Sequence, residues 1–198
     1  MSDDRIEHWL LWMDGVGGFL VCPKDRIALG QAGAEPPPDV PLLADVSRRH
    51  AVLRRDGEGY IAEAEKRIRV NGKETDRAVL RSGDRLTLGD SCQILFEIPL
   101  AGSTSARLSI VSGHRLACPV QDVLLLSESL IFGPKQAHVR VPSLREALMV
   151  FKSRTGLWVR HAGKMSLHGK PVADRADLPF DAPLLLEEHG IALERWIP

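Results

Sequence analysis

Short apolar runs, broken by turn dipeptides at close intervals, constrain this chain more than any other feature. The runs "HWLLWM", "GFLVC", "RIAL", "HAVLRR", "GYIAEA", "IRV", "RLTL" and "QILFEI" are separated by Asp14-Gly15, Gly17-Gly18, Asp56-Gly57, Asn71-Gly72, Ser82-Gly83 and Gly89-Asp90. Asp-Gly and Asn-Gly between apolar runs are strong hairpin signals, because a type I′ turn needs positive φ at both central residues. Strands this short, spaced roughly 8–12 residues apart, build a sandwich or a barrel. No stretch sustains a capped helical period, and "SLREALMVFKS" (143–153) reads either as a helix or as a strand. The expected fold class is all-β.

A chain of 198 residues has room for one large domain or two small ones. Its 26 basic and 26 acidic side chains cancel, so nothing global argues for nucleic acid or an acidic membrane surface as partner. Any charge-based recognition must come from a local cluster. No run approaches the roughly 20 apolar residues of a membrane helix, and the acidic start "MSDDRIEHWLLWMDG" lacks the basic flank of a signal peptide. Cys22, Cys92 and Cys118 are odd in number and widely spaced, as expected of buried thiols in a reducing compartment. The expected location is the cytoplasm.

The pattern recurs along the chain. "VNGK" (70–73) returns as "LHGK" (167–170), "VSRRHAVL" (46–53) as "PSLREALM" (142–149), and "RIALG" as "LIFGP". Their order and spacing agree, which predicts two copies of one sandwich, the second diverged. The small polar stretch "LAGSTSA" lies between them and reads as a linker.

The residues best suited to chemistry lie in "ADVSRRHAVL". Ser47 and Arg48, just ahead of a strand, offer a hydroxyl and a guanidinium side by side. Lys66 and Arg67, in the loop expected before "IRVNG", are placed to close the other side. A phosphate dianion needs such charge-assisted donors. The plainer alternative is a turn ended by Ser47 and flanked by solvated arginines. A hydrolase built on Asp45, Ser47 and His50 is not supported: in an extended segment residues 45 and 47 face away from residue 50, and no G-x-S-x-G elbow is present. The histidines show no metal-ligand spacing. No catalytic residue, metal site or cofactor is expected.

In order, the landmarks are Gly30, the S-x-x-H of Ser47 to His50, Asn71-Gly72, and the L-x-x-G-D-x-L-x-L-G of Leu80 to Gly89. Over about residues 8 to 99 they resemble the forkhead-associated (FHA) domain, a β-sandwich that reads phosphothreonine peptides. The resemblance implies two tandem FHA-like sandwiches of the SMAD/FHA type: residues 1–100, a linker at 101–106, and a degenerate copy at 107–198. It implies a phosphopeptide site of Ser47, Arg48, Gln31, Lys66 and Arg67, scaffolded by Gly30, His50, Asn71 and Gly72. The implied partner is a phosphothreonine-containing protein, a Ser/Thr kinase or its substrate, within a phosphorylation signalling system. Neither nucleic acid nor membrane is an expected partner.

Two departures bear on that function. Gln31 stands where the family usually has a phosphate-binding arginine, and "EKR" (65–67) replaces the usual Thr/Ser-Asn-Gly. Losing a hydrogen bond to a charged group costs roughly 1.5–3 kcal/mol, or about 10- to 100-fold in affinity. In the second copy Leu144 and Glu146 replace Arg48 and His50, His168 replaces Asn71, and Pro134 follows Gly133. That copy is expected to be structural. The competing expectation for the whole chain is a phosphate-independent scaffold built on a degenerate FHA pocket.

Overall fold

The computed structural model describes residues 8–57 and 59–197; the acidic residues 1–7 of the N-terminal reading lie outside them. Among the described residues every regular element is a strand, and no helix is long and apolar enough to cross a membrane. The hairpin β1 (His8–Met13) and β2 (Gly17–Cys22) is followed by β3 (Arg26–Gln31), β4 (Val40–Leu43), β5 (Ala51–Asp56), β6 (Gly59–Val70) and β7 (Lys73–Leu80). Then come β8 (Arg85–Leu88), β9 (Cys92–Glu97), β10 (Ala106–Ile110), β11 (Arg115–Leu116), β12 (Asp122–Leu125), β13 (Ser129–Gly133) and β14 (Val139–Arg140). The chain continues through β15 (Leu148–Lys152), β16 (Leu157–His161), β17 (Met165–Leu167), β18 (Lys170–Val172), β19 (Arg175–Asp177), β20 (Leu184–Leu186) and β21 (His189–Trp196). The ambiguous segment 143–153 is therefore a turn leading into β15, not a helix.

One pairing scheme occurs in both halves. β3 is parallel to β4 and antiparallel to β5, which pairs with β6 and β6 with β7. Likewise β13 is parallel to β14 and antiparallel to β15, which pairs with β16 and β16 with β19. The hairpin tips agree too: Asn71-Gly72 have φ 52° and 81°, and His168-Gly169 have φ 51° and 73°. Positive φ at both central residues is the type I′ requirement, met in the second half by an unusual His-Gly pair.

The remaining strands do not stay within their own half. The N-terminal β1 pairs with β21, near the far end of the sequence, and β2 lies parallel to β12. Meanwhile β9 pairs with β10 and β10 with β12, so the sheet runs straight across the 101–106 connection. The result is one central sheet, β9-β10-β12-β2-β1-β21, shared by two apolar cores. Leu10, Leu20, Cys22, Val123 and Leu125 enter the core beneath β3–β6. Their sequence neighbours Trp9, Leu11, Phe19, Val21 and Leu124 enter the core beneath β13–β16. Unbroken apolar runs such as "GFLVC" and "DVLLL" are what a strand buried on both faces needs, since alternate side chains point to opposite sides.

Residues 103–105 are a hydrogen-bonded strap. Ser103 Oγ lies 2.9 Å from His138 Nε2, Thr104 Oγ1 donates to Ser127 Oγ (2.6 Å), and Ser105 Oγ donates to the Ser129 carbonyl (2.7 Å). From the other side the Tyr60 hydroxyl donates to the Thr104 carbonyl at 2.9 Å, and burial pushes the Tyr60 pKa up to about 12. Ile131 N–H donates to His138 Nδ1, so the neutral ring carries its proton on Nε2, toward Ser103. Burial lowers the His138 pKa to about 4, which keeps that ring neutral.

Shared strands should couple the two cores. Leu20→Ala deletes apolar volume from the first core and Phe19→Ala from the second, where Phe19 meets Phe132 edge-on at 5.6 Å. Each should cost about 2–5 kcal/mol and shift one common transition in differential scanning calorimetry. Two separable transitions, each moved by only one variant, would contradict the coupling.

Candidate functional site

The candidate site lies where the loop 44–50 meets β6. Since Ala51 is paired with Ala64, residues 47–50 and 65–67 emerge at the same end of the β5–β6 hairpin, opposite its Asp56-Gly57 turn. Lys66 and Arg67 are not in a loop, as the sequence suggested, but inside β6. There the register with β7 shifts between Glu63 and Ile68, and the strand moves on to pair with β8. A strand that changes partner carries unpaired backbone groups at the change, and a neighbour must satisfy them.

His50 supplies that neighbour. Its carbonyl accepts the N–H groups of Glu65 and Lys66, both at 3.0 Å. Its Nδ1 accepts the Ser47 N–H at 3.1 Å, and its Nε2 lies 3.0 Å from the Arg67 carbonyl oxygen. Gly89 N also lies 3.0 Å from Nε2. The buried imidazole thus ties together the Ser47 loop, the β6 irregularity and the turn after β8. The Ser47 carbonyl accepts the Gln31 N–H at 3.0 Å, which brings the end of β3 alongside.

Gly30 is required by contact, since a Cβ there would stand 1.9 Å from the Arg48 carbonyl oxygen. Asn71 works further off. Its Nδ2 donates to Asp84 Oδ1 at 2.8 Å and its Oδ1 accepts the Arg85 N–H at 3.0 Å. This joins the 70–73 hairpin to the 81–85 turn, while Gly72 sits at the open tip.

The cations of the site differ in what they face. Arg49 is paired with Glu65 at 2.7 Å and Arg67 with Asp90 at 3.1 Å, so intramolecular carboxylates answer both charges. In the sequence Asp90 read as part of a turn and Glu65 as part of "EKR", neither as the partner of an arginine. Arg48 and Lys66 are exposed, and among the described residues neither meets a carboxylate and the half-buried Ser47 hydroxyl has no hydrogen-bond partner. Gln31 is exposed beside them and neutral. Of the two basic side chains expected to face Arg48, Lys66 meets no carboxylate among the described residues, while Arg67 shares the exposed Asp90 with Arg69 (3.8 Å).

The prolines at 36–38 lie outside every strand and border this end of the molecule. With Lys24, Arg26, Arg48 and Arg49 they line a groove of about 410 Å³. Asp39 anchors their loop: Oδ1 takes the Lys24 ammonium at 2.6 Å and lies 3.1 Å from His8 Nε2, while Oδ2 accepts the Ala28 N–H at 2.7 Å. Burial alone would raise this carboxyl, but the three partners outweigh it and hold the pKa at about 2.

The corresponding place in the second half is occupied from within. Ser143 Oγ lies 2.9 Å from His189 Nε2, and His189 Nδ1 donates to the Asp14 carbonyl at 2.9 Å. That bond fixes the proton on Nδ1 and makes Nε2 the acceptor for the serine hydroxyl. Ser143 therefore spends its donor on β21.

Residues 27–89 match the FHA domain family model. The FHA segment so defined contains Gly30, Gln31, Ser47, Arg48, His50, Lys66, Arg67, Asn71, Gly72 and Gly89; the β1–β2 hairpin lies outside it. FHA domains are, in general, phosphothreonine-binding protein-interaction modules rather than enzymes. Among solved structures the chain is similar to the FHA-2 domain from a Mycobacterium tuberculosis ABC transporter, determined by NMR. The two share 25% identity over 45% of this chain and 76% of that one, with a TM-score of 0.35. No curated protein matches the chain.

Two measurements test the geometry. Gly30→Ala must push the Arg48 backbone aside, so urea unfolding should show a loss of about 2 kcal/mol or more, whereas Gly59→Ala, with open space around its Cβ, should cost under about 1 kcal/mol. Asp39 has its pKa lowered on folding, so its contribution is present above the unfolded value near 4 and is lost as pH falls toward about 2. Thermal melts should show this acid loss, and Asp39→Asn should flatten the profile over that window. An unchanged slope would mean that Asp39 is not the group responsible.

Proposed function

We propose that the FHA segment binds phosphothreonine-containing protein segments, as an adaptor within a Ser/Thr phosphorylation system. The observation that carries this reading is the selective pairing of charge around Ser47. Arg49 and Arg67 lie within ion-pair distance of Glu65 and Asp90, whereas Arg48, Lys66 and the Ser47 hydroxyl have no partner among the described residues. A hydroxyl with two unanswered cations, on loops pinned by one buried histidine, suits a phosphate dianion. Gln31 adds one neutral hydrogen bond where the family usually supplies charge, so this pocket binds more weakly than a complete one.

We also read the chain as two FHA-like sandwiches that exchange their leading strands. The β1–β2 hairpin completes the C-terminal sandwich, while β10 and β12 complete the N-terminal one. The matching order of β4-β3-β5-β6 and β14-β13-β15-β16 supports this division, and the engaged Ser143 supports a second unit that does not read phosphate. The free, buried Cys22, Cys92 and Cys118 suit the reducing cytoplasm.

Fluorescence anisotropy with a phosphothreonine peptide library and its unphosphorylated counterpart tests the main reading. Binding should require the phosphate and weaken as salt rises, because exposed charges are screened over a Debye length of about 10 Å at 0.1 M. Arg48→Ala should lower affinity at least about 10-fold, and Gln31→Arg should raise it by a similar factor. Equal binding of the unphosphorylated peptides, with Gln31→Arg neutral, would replace this reading with a phosphate-independent scaffold.

A further inference from the structure

The outward face of the sheet β13-β15-β16-β19 does not resemble that of its counterpart β3-β5-β6. On the counterpart, charges answer one another: Glu63 meets Arg26 at 3.4 Å and Arg54 at 3.1 Å, and Arg54 also reaches Asp56 at 3.2 Å. Such a face is complete in water. On the other sheet Leu130, Val150 and Val159 point into the core, so their neighbours Ile131, Met149, Phe151 and Trp158 point out, all of them half-buried.

Registers make these four contiguous. Ile131 stands opposite Met149, and Phe151 opposite Trp158. The Phe151 and Trp158 rings stack at 4.1 Å with planes 12° apart, and the Arg175 guanidinium carbon lies 3.9 Å from the Trp158 ring centroid. The aromatic pair and its capping cation are held in place before any partner arrives, which lowers the ordering cost of binding.

The charges beside this stripe are poorly answered. Arg160 stands directly opposite Arg175 on the same face, and like charges in that position are unfavourable. The carboxylate nearest Arg160 is Asp174, at 3.7 Å with both side chains 64% exposed, an interaction worth little. Among the described residues no other carboxylate reaches either guanidinium within ion-pair distance. Asp177, opposite Trp158 on the same face, reaches neither guanidinium within ion-pair distance, so a partner covering the stripe would have to bring anions to Arg160 and Arg175.

We propose that this face is a docking surface for a protein segment whose apolar side chains are flanked by carboxylates. Its apolar groups cover Ile131, Met149, Phe151 and Trp158, and its carboxylates pair with Arg160 and Arg175. Trp, Phe, Met and Arg are the residue types that concentrate binding energy at interfaces. The surface belongs to the second unit and does not depend on phosphate recognition at Ser47. The protein would then hold two partners by different chemistry.

The test is to pan a phage-displayed random twelve-residue peptide library on the full chain, with counter-selection on the Trp158→Glu variant. Enriched peptides should combine apolar residues with Asp or Glu. A synthetic copy of the leading peptide, titrated by anisotropy, should bind at least 10-fold more weakly to the double variant Arg160→Glu/Arg175→Glu. That variant should keep the wild-type melting temperature and any phosphothreonine-peptide affinity, which separates failure here from failure at Ser47. Absence of enrichment over the counter-selected pool, or enrichment of basic peptides, overturns the proposal. So does sedimentation showing a dimer that Phe151→Glu returns to monomer, since the occupant would then be a second copy of the chain.

Discussion

Burial of the β1–β2 hairpin on both faces is the constraint from which the rest of the structure follows. Ordinary sandwich strands have a wet side where polar residues relieve the sequence of apolar content. These have none: Trp9, Leu11, Phe19 and Val21 enter one core while Leu10, Leu20 and Cys22 enter the other. Each such side chain contributes roughly 1.5–3 kcal/mol by leaving water, and the contributions fall on both cores. The hairpin therefore acts as a shared wall. The short Pro23–Asp25 connection then places β3, and with it Gly30 and Gln31, relative to that wall.

At the candidate site the organising element is a single imidazole. His50 has no role that its geometry would suit to chemistry, since both ring nitrogens and its carbonyl are committed to backbone groups of distant segments. Those commitments hold Ser47, the β6 irregularity and Gly89 in a fixed relation. The side chains left over are then free to act on a ligand. Carboxylates distinguish the cations there: Arg49 and Arg67 have Glu65 and Asp90 within ion-pair distance, and Arg48 and Lys66 have no such neighbour among the described residues.

Much of this was legible from the residues. Asn71-Gly72 announced its hairpin because positive φ at consecutive positions restricts the residue types that fit, whereas His168-Gly169 was reached through the recurrence of "VNGK" as "LHGK". Gly30, Ser47 and His50 were legible through their order. The pairing of β1 with β21 was not, because the two find each other through long-range burial that no local pattern encodes. The unbroken apolar runs did hold a trace of it, since a half-wet strand alternates and these do not. The ion pair of Arg67 with Asp90 was not legible for a related reason: the two are separated by β7 and β8. The strand break expected at 65–67 was in truth a change of partner within one continuous strand, and a bulge has no composition of its own.

The pairing of β1 with β21 also bears on how the chain is made. A ribosome delivers the N-terminal hairpin first and its outer partner last, so "HWLLWM" and "GFLVC" emerge long before residues 189–196 exist to cover them. During synthesis neither apolar core can close on the strands of its own half alone. The early half waits for residues 106–125, and the late half waits for a hairpin already made but still unpaired on one side. Apolar edges exposed for that interval invite association with other nascent chains.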